Sequence, residues 1–147
     1  MDKALITTGR VLLALYFLLP GIMKFVAWDM HVALMAKHQM MQIPVLLAAA
    51  GIVQIAAALL IIANRYTAIC ALVLAGMVLL ININLHDFWN FTGIEGAHEQ
   101  QNFVKNLAIF AGLLLLAGHS WTDGFRRCQL CDGPFSFYHN IFCYLGW

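Results

Sequence analysis

The sequence predicts an all-α fold: a four-helix transmembrane bundle with a short interfacial helix after the first span and a short cytoplasmic tail. Three observations lead there. Three long apolar segments and one shorter one are separated by short polar stretches. Hydrophobic residues make up 63% of the 147 positions and charged residues only 10%, with a mean hydropathy of +0.81, outside the range of soluble domains. Two segments, Ile43–Ala63 and Thr67–Leu85, run almost without charge for about the twenty residues that a helix needs to cross a bilayer. Hydrocarbon offers no water to backbone N–H and C=O groups, so such segments must satisfy them internally as helices.

The first span covers roughly Leu5–Val26. Arg10, Ala14, Phe17, Gly21 and Lys24 recur along it at helical spacing and form one stripe. Two charges on that stripe are costly toward lipid, so it either turns inward or snorkels at each end. Pro20 should kink this helix near its outer third. Arg10 interrupts the N-terminal apolar stretch and no small-residue cleavage pattern closes it, so a cleavable signal peptide is not expected. Met30–Gln42 reads as an amphipathic helix on the membrane interface, and Pro44 suits the first turn of the second span.

The second span is rich in small residues, among them Ala48, Ala49, Ala50, Gly51, Ala56, Ala57 and Ala58. Ala71, Ala75 and Gly76 in the third, and Ala108, Ala111 and Gly112 in the fourth, continue the pattern, which lets membrane helices approach closely. Gln54 is the one polar residue deep in the second span, about 16 Å from its outer end at the rise of a helix. A hydrogen bond across to another helix or a ligand contact would satisfy its amide. The fourth span is Leu107–Gly118, extended upstream by Phe103-Val104 across Lys105. Residues 1–119 read as one membrane domain and 120–147 as a Cys- and aromatic-rich tail.

Four spans put the N-terminus, the Asn64-Arg65 connection and the tail on one side, with Lys3, Arg10, Arg65, Arg126 and Arg127. Lys24, Lys37 and Lys105 fall on the other. The positive-inside rule then places both termini in the cytoplasm, and Trp28 and Trp89 at the outer boundary, with Tyr66 and Trp121 at the inner one. A net charge of +1 gives no argument for nucleic acid.

The densest polar constellation is His86-Asp87-Phe88-Trp89, followed by Gln101 and Lys105-Asn106. In this topology those residues and Lys24 all reach the outer boundary. Asn82, His86 and Trp89 share a helical face, and Gln101 and Lys105 are spaced by four. Such a cluster can bind a polar head group, relay protons or hold helix ends together. Lys24, Gln54, His86, Asp87, Trp89, Gln101 and Lys105 are therefore the candidate ligand-binding residues.

These stretches resemble a known family. Gly9-Arg10-Val11 through Pro20-Gly21-Ile22-Met23-Lys24-Phe25 looks like the opening of the DoxX family of small bacterial membrane proteins. Leu85-His86-Asp87-Phe88-Trp89, Gln101, Phe103 and Lys105-Asn106-Leu107-Ala108-Ile109 before Gly112-Leu113-Leu114-Leu115 are similar to its most distinctive stretch. The resemblance covers about Thr8 to Gly118. Gln54 departs from it, since family members often carry glutamate there. The resemblance implies a membrane subunit of an oxidoreductase in the bacterial inner membrane. Some members belong to a thiosulfate:quinone oxidoreductase, and others are linked to oxidative stress or sulfur metabolism. A quinone head group would suit the outer polar cluster. The sequence shows no flavin or haem motif, so an accessory subunit is expected rather than a self-contained enzyme.

Two further constellations concern metals. His31, Met35 and His38 lie on one face of a Met-rich segment, where thioether and imidazole suit copper, although Met also fills the apolar faces of interfacial helices. The loop-like Glu95-Gly-Ala-His98-Glu99 reads as a solvated connection. In the tail, Cys128 and Cys131 form a C-x-x-C followed by His139 and Cys143. They compose a Cys₃His zinc set, a redox dithiol or simply reduced thiols. The six aromatics of Phe135–Trp147, too short to span, should rest on the membrane surface or on partner membrane subunits.

Overall fold

The computed structural model describes residues 2–37 and 41–130, with backbone alone for residue 2 and residues 124–130. Five helices follow one another, and no strand occurs among the described residues: α1 Asp2–Val26, α2 Trp28–Lys37, α3 Ile43–Ile62, α4 Thr67–Leu85 and α5 Gly93–Leu130. A single 3₁₀ turn, Phe88–Asn90, joins α4 to α5. Among the described residues four helices are long and apolar enough to cross a membrane, and α2 is the short one between the first two.

Local chemistry explains the boundaries. Pro20 sits inside α1 without ending it, and Pro44 occupies the first turn of α3, where its missing N–H costs nothing. Asn64 and Tyr66 take left-handed conformations in the tight connection to α4, where Arg65 N–H donates to Leu60 O at 2.9 Å.

The helices pack as two pairs. α1 lies chiefly on α3, α4 chiefly on α5, and the α3–α4 contact joins them, while α1 and α5 touch marginally. Where the pairs meet, at the Arg10 end, a continuous apolar core forms. Ala14 and Phe17 of α1, Ala58 and Ile61 of α3, Ala71 and Leu74 of α4, and Leu113 of α5 are almost fully buried there. Small residues at the crossing points let the backbones approach, as expected where lipid supplies no hydrophobic drive. At the opposite end, the Lys24 end, the buried side chains include Gln54 and Asn82, and there the packing is polar.

One reading of the sequence needs correction. Glu95–Glu99 is not a loop: α5 starts at Gly93, ten residues before Phe103. Gly93 enters with a left-handed φ of +67°, and Glu95 complements the helix N-terminus. A Cβ at Gly96 would come within 2.7 Å of the Phe91 carbonyl oxygen, so glycine there permits the tight start. Helix also persists beyond residue 119 to Leu130. His119 and Asp123 pair at 3.3 Å one turn apart along this extension.

Candidate functional site at the Lys24 end

Each helix pair carries its own polar contact at this end. In the α4/α5 pair, His86 closes α4 and its Nδ1 lies 2.7 Å from Glu99 Oε2. The two side chains are only 21% and 16% exposed. A carboxylate only accepts, so the proton of this bond sits on Nδ1 and Nε2 is left for another partner. One turn deeper, Asn82 Nδ2 donates to Phe103 O at 3.1 Å, and Asn106 Nδ2 donates to Asn82 Oδ1 at 3.0 Å. Asn82 and His86 are four apart, and Glu99, Phe103 and Asn106 follow at four and three, so each helix offers one stripe to the other. Beside the His–Glu pair, the rings of Phe88, Trp89 and Phe103 meet edge to face, with centroids 5.2–6.3 Å apart.

In the α1/α3 pair, Lys24 Nζ donates to Gln54 Oε1 at 2.8 Å. Gln54 is 4% exposed. Helical side chains tilt toward the N-terminus, so a lysine in the last turn of α1 points back into the span. The stripe of α1 thus turns inward here, with Ala14, Phe17 and Gly21 buried along it. A Cβ on Gly21 would stand 2.9 Å from Ile55 Cγ1 and 3.4 Å from Ile55 N, so glycine lets the two helices approach beside the contact. Gly51 likewise receives the Phe25 ring, which would lie 2.6 Å from an added Cβ. At the other end of the stripe, the Arg10 Nε is buried with no hydrogen-bond partner among the described residues.

The remaining candidates are spread out. Asp87 accepts a hydrogen bond from Asn90 Nδ2 at 2.6 Å in the 3₁₀ turn, and Trp89, beyond the end of α4, is 56% exposed. Gln101 and Lys105 share an exposed face of α5, where an open groove of about 350 Å³ is lined by Gln100, Gln101, Val104 and Lys105. They do not join the Lys24–Gln54 contact or the His86–Glu99 contact. Lys37, at the end of α2, pairs with Glu95 and lies 5.3 Å from the centroid of the Phe91 ring. Its hydrogen bond to Glu95 holds the ammonium above the usual lysine range.

Of the metal candidates, His31 uses Nδ1 toward the Ala27 carbonyl at 2.8 Å, and Met35 is buried in the bundle. His38, Cys131, His139 and Cys143 lie outside the described residues, as does the side chain of Cys128. Among the described residues no three His, Cys, Asp or Glu side chains are placed to share an ion.

The residue missed by sequence reasoning is Glu99. Its spacing to Phe103 and Asn106 is helical, but reading residues 95–99 as a loop hid it.

With these contacts in place, the family comparison is decisive. A family model described as DoxX matches residues 5–87, more than half of the chain. The chain belongs to the DoxX family. The matched DoxX region takes in α1 to α4 and ends at Asp87, so Gln54 and His86 fall inside it while Glu99, Gln101 and Lys105 lie beyond it. No curated protein and no solved structure gives a match.

Proposed function

We propose that this DoxX protein is a membrane subunit of a bacterial oxidoreductase, and that its α4/α5 pair docks a quinone head group and exchanges protons with it. The observation that carries this reading is the His86–Glu99 contact, largely buried and flanked by aromatic rings. Reduction of a quinone to a hydroquinone takes two electrons and two protons. The electrons are assigned to a partner subunit. The neutral His86 first takes a proton from water on Nε2, giving an imidazolium that Glu99 stabilises through Nδ1–H, and then passes that proton from Nε2 to a quinone oxygen. A second round of uptake and transfer delivers the second proton. The rings of Phe88, Trp89 and Phe103 give a flat ligand apolar edges and faces to lie against.

Gentle-detergent purification with mass spectrometry should recover redox subunits and bound quinone. In that assembly His86→Ala and Glu99→Gln should each lower quinone-coupled turnover by roughly 10²-fold, the usual scale for a lost general acid. Unchanged turnover in both variants rejects the proton role.

The basic residues at the Arg10 end support a bacterial inner-membrane orientation with both termini cytoplasmic. Cysteines introduced at Thr7 and Ile94 test it: a membrane-impermeant thiol reagent should label only the second from outside. Labelling at Thr7 instead inverts the topology.

A second reading, an assembly subunit, draws on α5. Its 38 residues extend about 57 Å, well beyond a hydrocarbon core of about 30 Å. That leaves helix outside the bilayer for a partner to grip. Partners recovered without quinone would favour it.

A further inference from the structure

The α1/α3 pair holds a feature that the quinone reading does not use. Lys24 lies in the last turn of α1, inside the segment that crosses the membrane, and its hydrogen-bond partner is a neutral amide. Among the described residues no carboxylate comes within ion-pair distance of it. An ammonium in such a setting is expensive unless something compensates its charge. The donor count points the same way. Lys24 uses one of three N–H donors on Gln54 Oε1, and the Gln54 amide nitrogen beside that oxygen carries two more N–H donors. Two ammonium donors and an amide NH₂ remain at one place, with a single positive charge.

We propose that Lys24 and Gln54 form a binding site for an oxyanion head, a carboxylate or phosphate group. Such a group presents anionic oxygens that accept hydrogen bonds, so it complements a donor-only cluster and neutralises the ammonium. The surroundings suit it. Gly21 and Gly51 bring α1 and α3 together around the contact, and Phe25 and Ile55 provide apolar walls. Lys24 is half-buried, so its ammonium remains reachable from the protein surface while Gln54 is enclosed. The site stands on the helix pair opposite His86 and Glu99 and does not depend on their role.

The head group can be borne by a membrane amphiphile or by a soluble ion, and one set of measurements separates these sources. The full chain in neutral detergent is melted against increasing oleate, acetate or inorganic phosphate, with oleyl alcohol as the uncharged control. A ligand that binds the folded state raises the melting temperature with saturation. Oleate acting alone identifies a lipid-borne head, whereas acetate or phosphate acting as well identifies a soluble anion, and both results support the site. Lys24→Arg should retain the response. Lys24→Met should weaken the apparent affinity roughly tenfold or more.

The sharper variant is Gln54→Glu, which places a carboxylate beside Lys24. It should raise the melting temperature without ligand and abolish the response to added anion, so the loss cannot be ascribed to misfolding. Three results overturn the proposal: no saturable response in the parent protein, equal responses to oleate and oleyl alcohol, or an undiminished response in Gln54→Glu.

Discussion

The two helix pairs solve the same problem differently. α4 and α5 meet through matched partners: amide to amide at Asn82–Asn106, and imidazole to carboxylate at His86–Glu99. α1 and α3 meet through an unmatched pair, a cation on a neutral amide at Lys24–Gln54. The first pair is matched at its contacts, because imidazole N–H meets carboxylate and amide N–H meets amide oxygen. The second keeps a positive charge without a counter-ion among the described residues. A matched polar pair can orient helices and shuttle a proton, whereas an unmatched one calls for something from outside. The difference also fits the packing: the shared apolar core sits at the Arg10 end, leaving the pairs to build their polar contacts separately at the other.

The largest effect should come from driving α1 and α3 apart. Gly21→Leu would push a side chain into Ile55 and its backbone. Overpacking of this kind costs about 1–3 kcal/mol. The melting temperature should fall, and the Lys24–Gln54 contact should open. If the pairs are independent at this end, the histidine resonances of His86 should keep their shifts in this variant. Loss of both contacts together would show that the end behaves as one unit.

A smaller change breaks the other pair. Asn82→Leu removes the donor to Phe103 O and strands the Asn106 amide. Hydrogen bonds between membrane helices average about 0.6 kcal/mol and reach about 1.7, and this position makes two. A loss of about 1 kcal/mol in unfolding from mild detergent is expected, with the anion response at Lys24 retained. A variant as stable as the parent would mean that Asn82 contributes nothing net to the α4/α5 contact.

The sequence made the four spans legible because hydrocarbon restricts the chain to helices, and length with low charge then suffices to find them. Gln54 stood out for the same reason: a lone amide among aliphatic residues needs a partner. The partner itself was not legible. Lys24 was read with His86 and Lys105 because all three reach one end, but shared depth does not fix which helices touch. Pairing order decided it, placing α1 on α3 and α4 on α5. Glu99 was hidden by local composition, since Gly93 and Gly96 look like a loop and instead form the tight start of a helix. Lys105 shows the converse. Its type and spacing marked it as a site residue, yet α5 presents it on an exposed face with Gln101.

The smallest effect concerns the tie between the pairs. α2 packs against α1 and α3, so the ion pair of Lys37 with Glu95 connects that side of the molecule to the start of α5. The hydrogen bond to Glu95 raises the Lys37 pKa in the folded protein. A raised lysine pKa means that the folded state holds its proton more tightly than the unfolded chain does. The contribution is therefore fully present below the unfolded value of about 10.4 and is lost as pH climbs through the higher folded one. Both side chains are half exposed, and salt screens such a pair. Spin labels at Ala36 and His98 report the separation of α2 from α5. The distance should be constant through neutral pH and broaden only once pH climbs past the ordinary lysine range, as it should at neutral pH in Lys37→Met. A parent distribution that never changes with pH, or one that matches Lys37→Met throughout, would show the tie to be idle and the two pairs to be held together by the α3–α4 contact and the core at the Arg10 end.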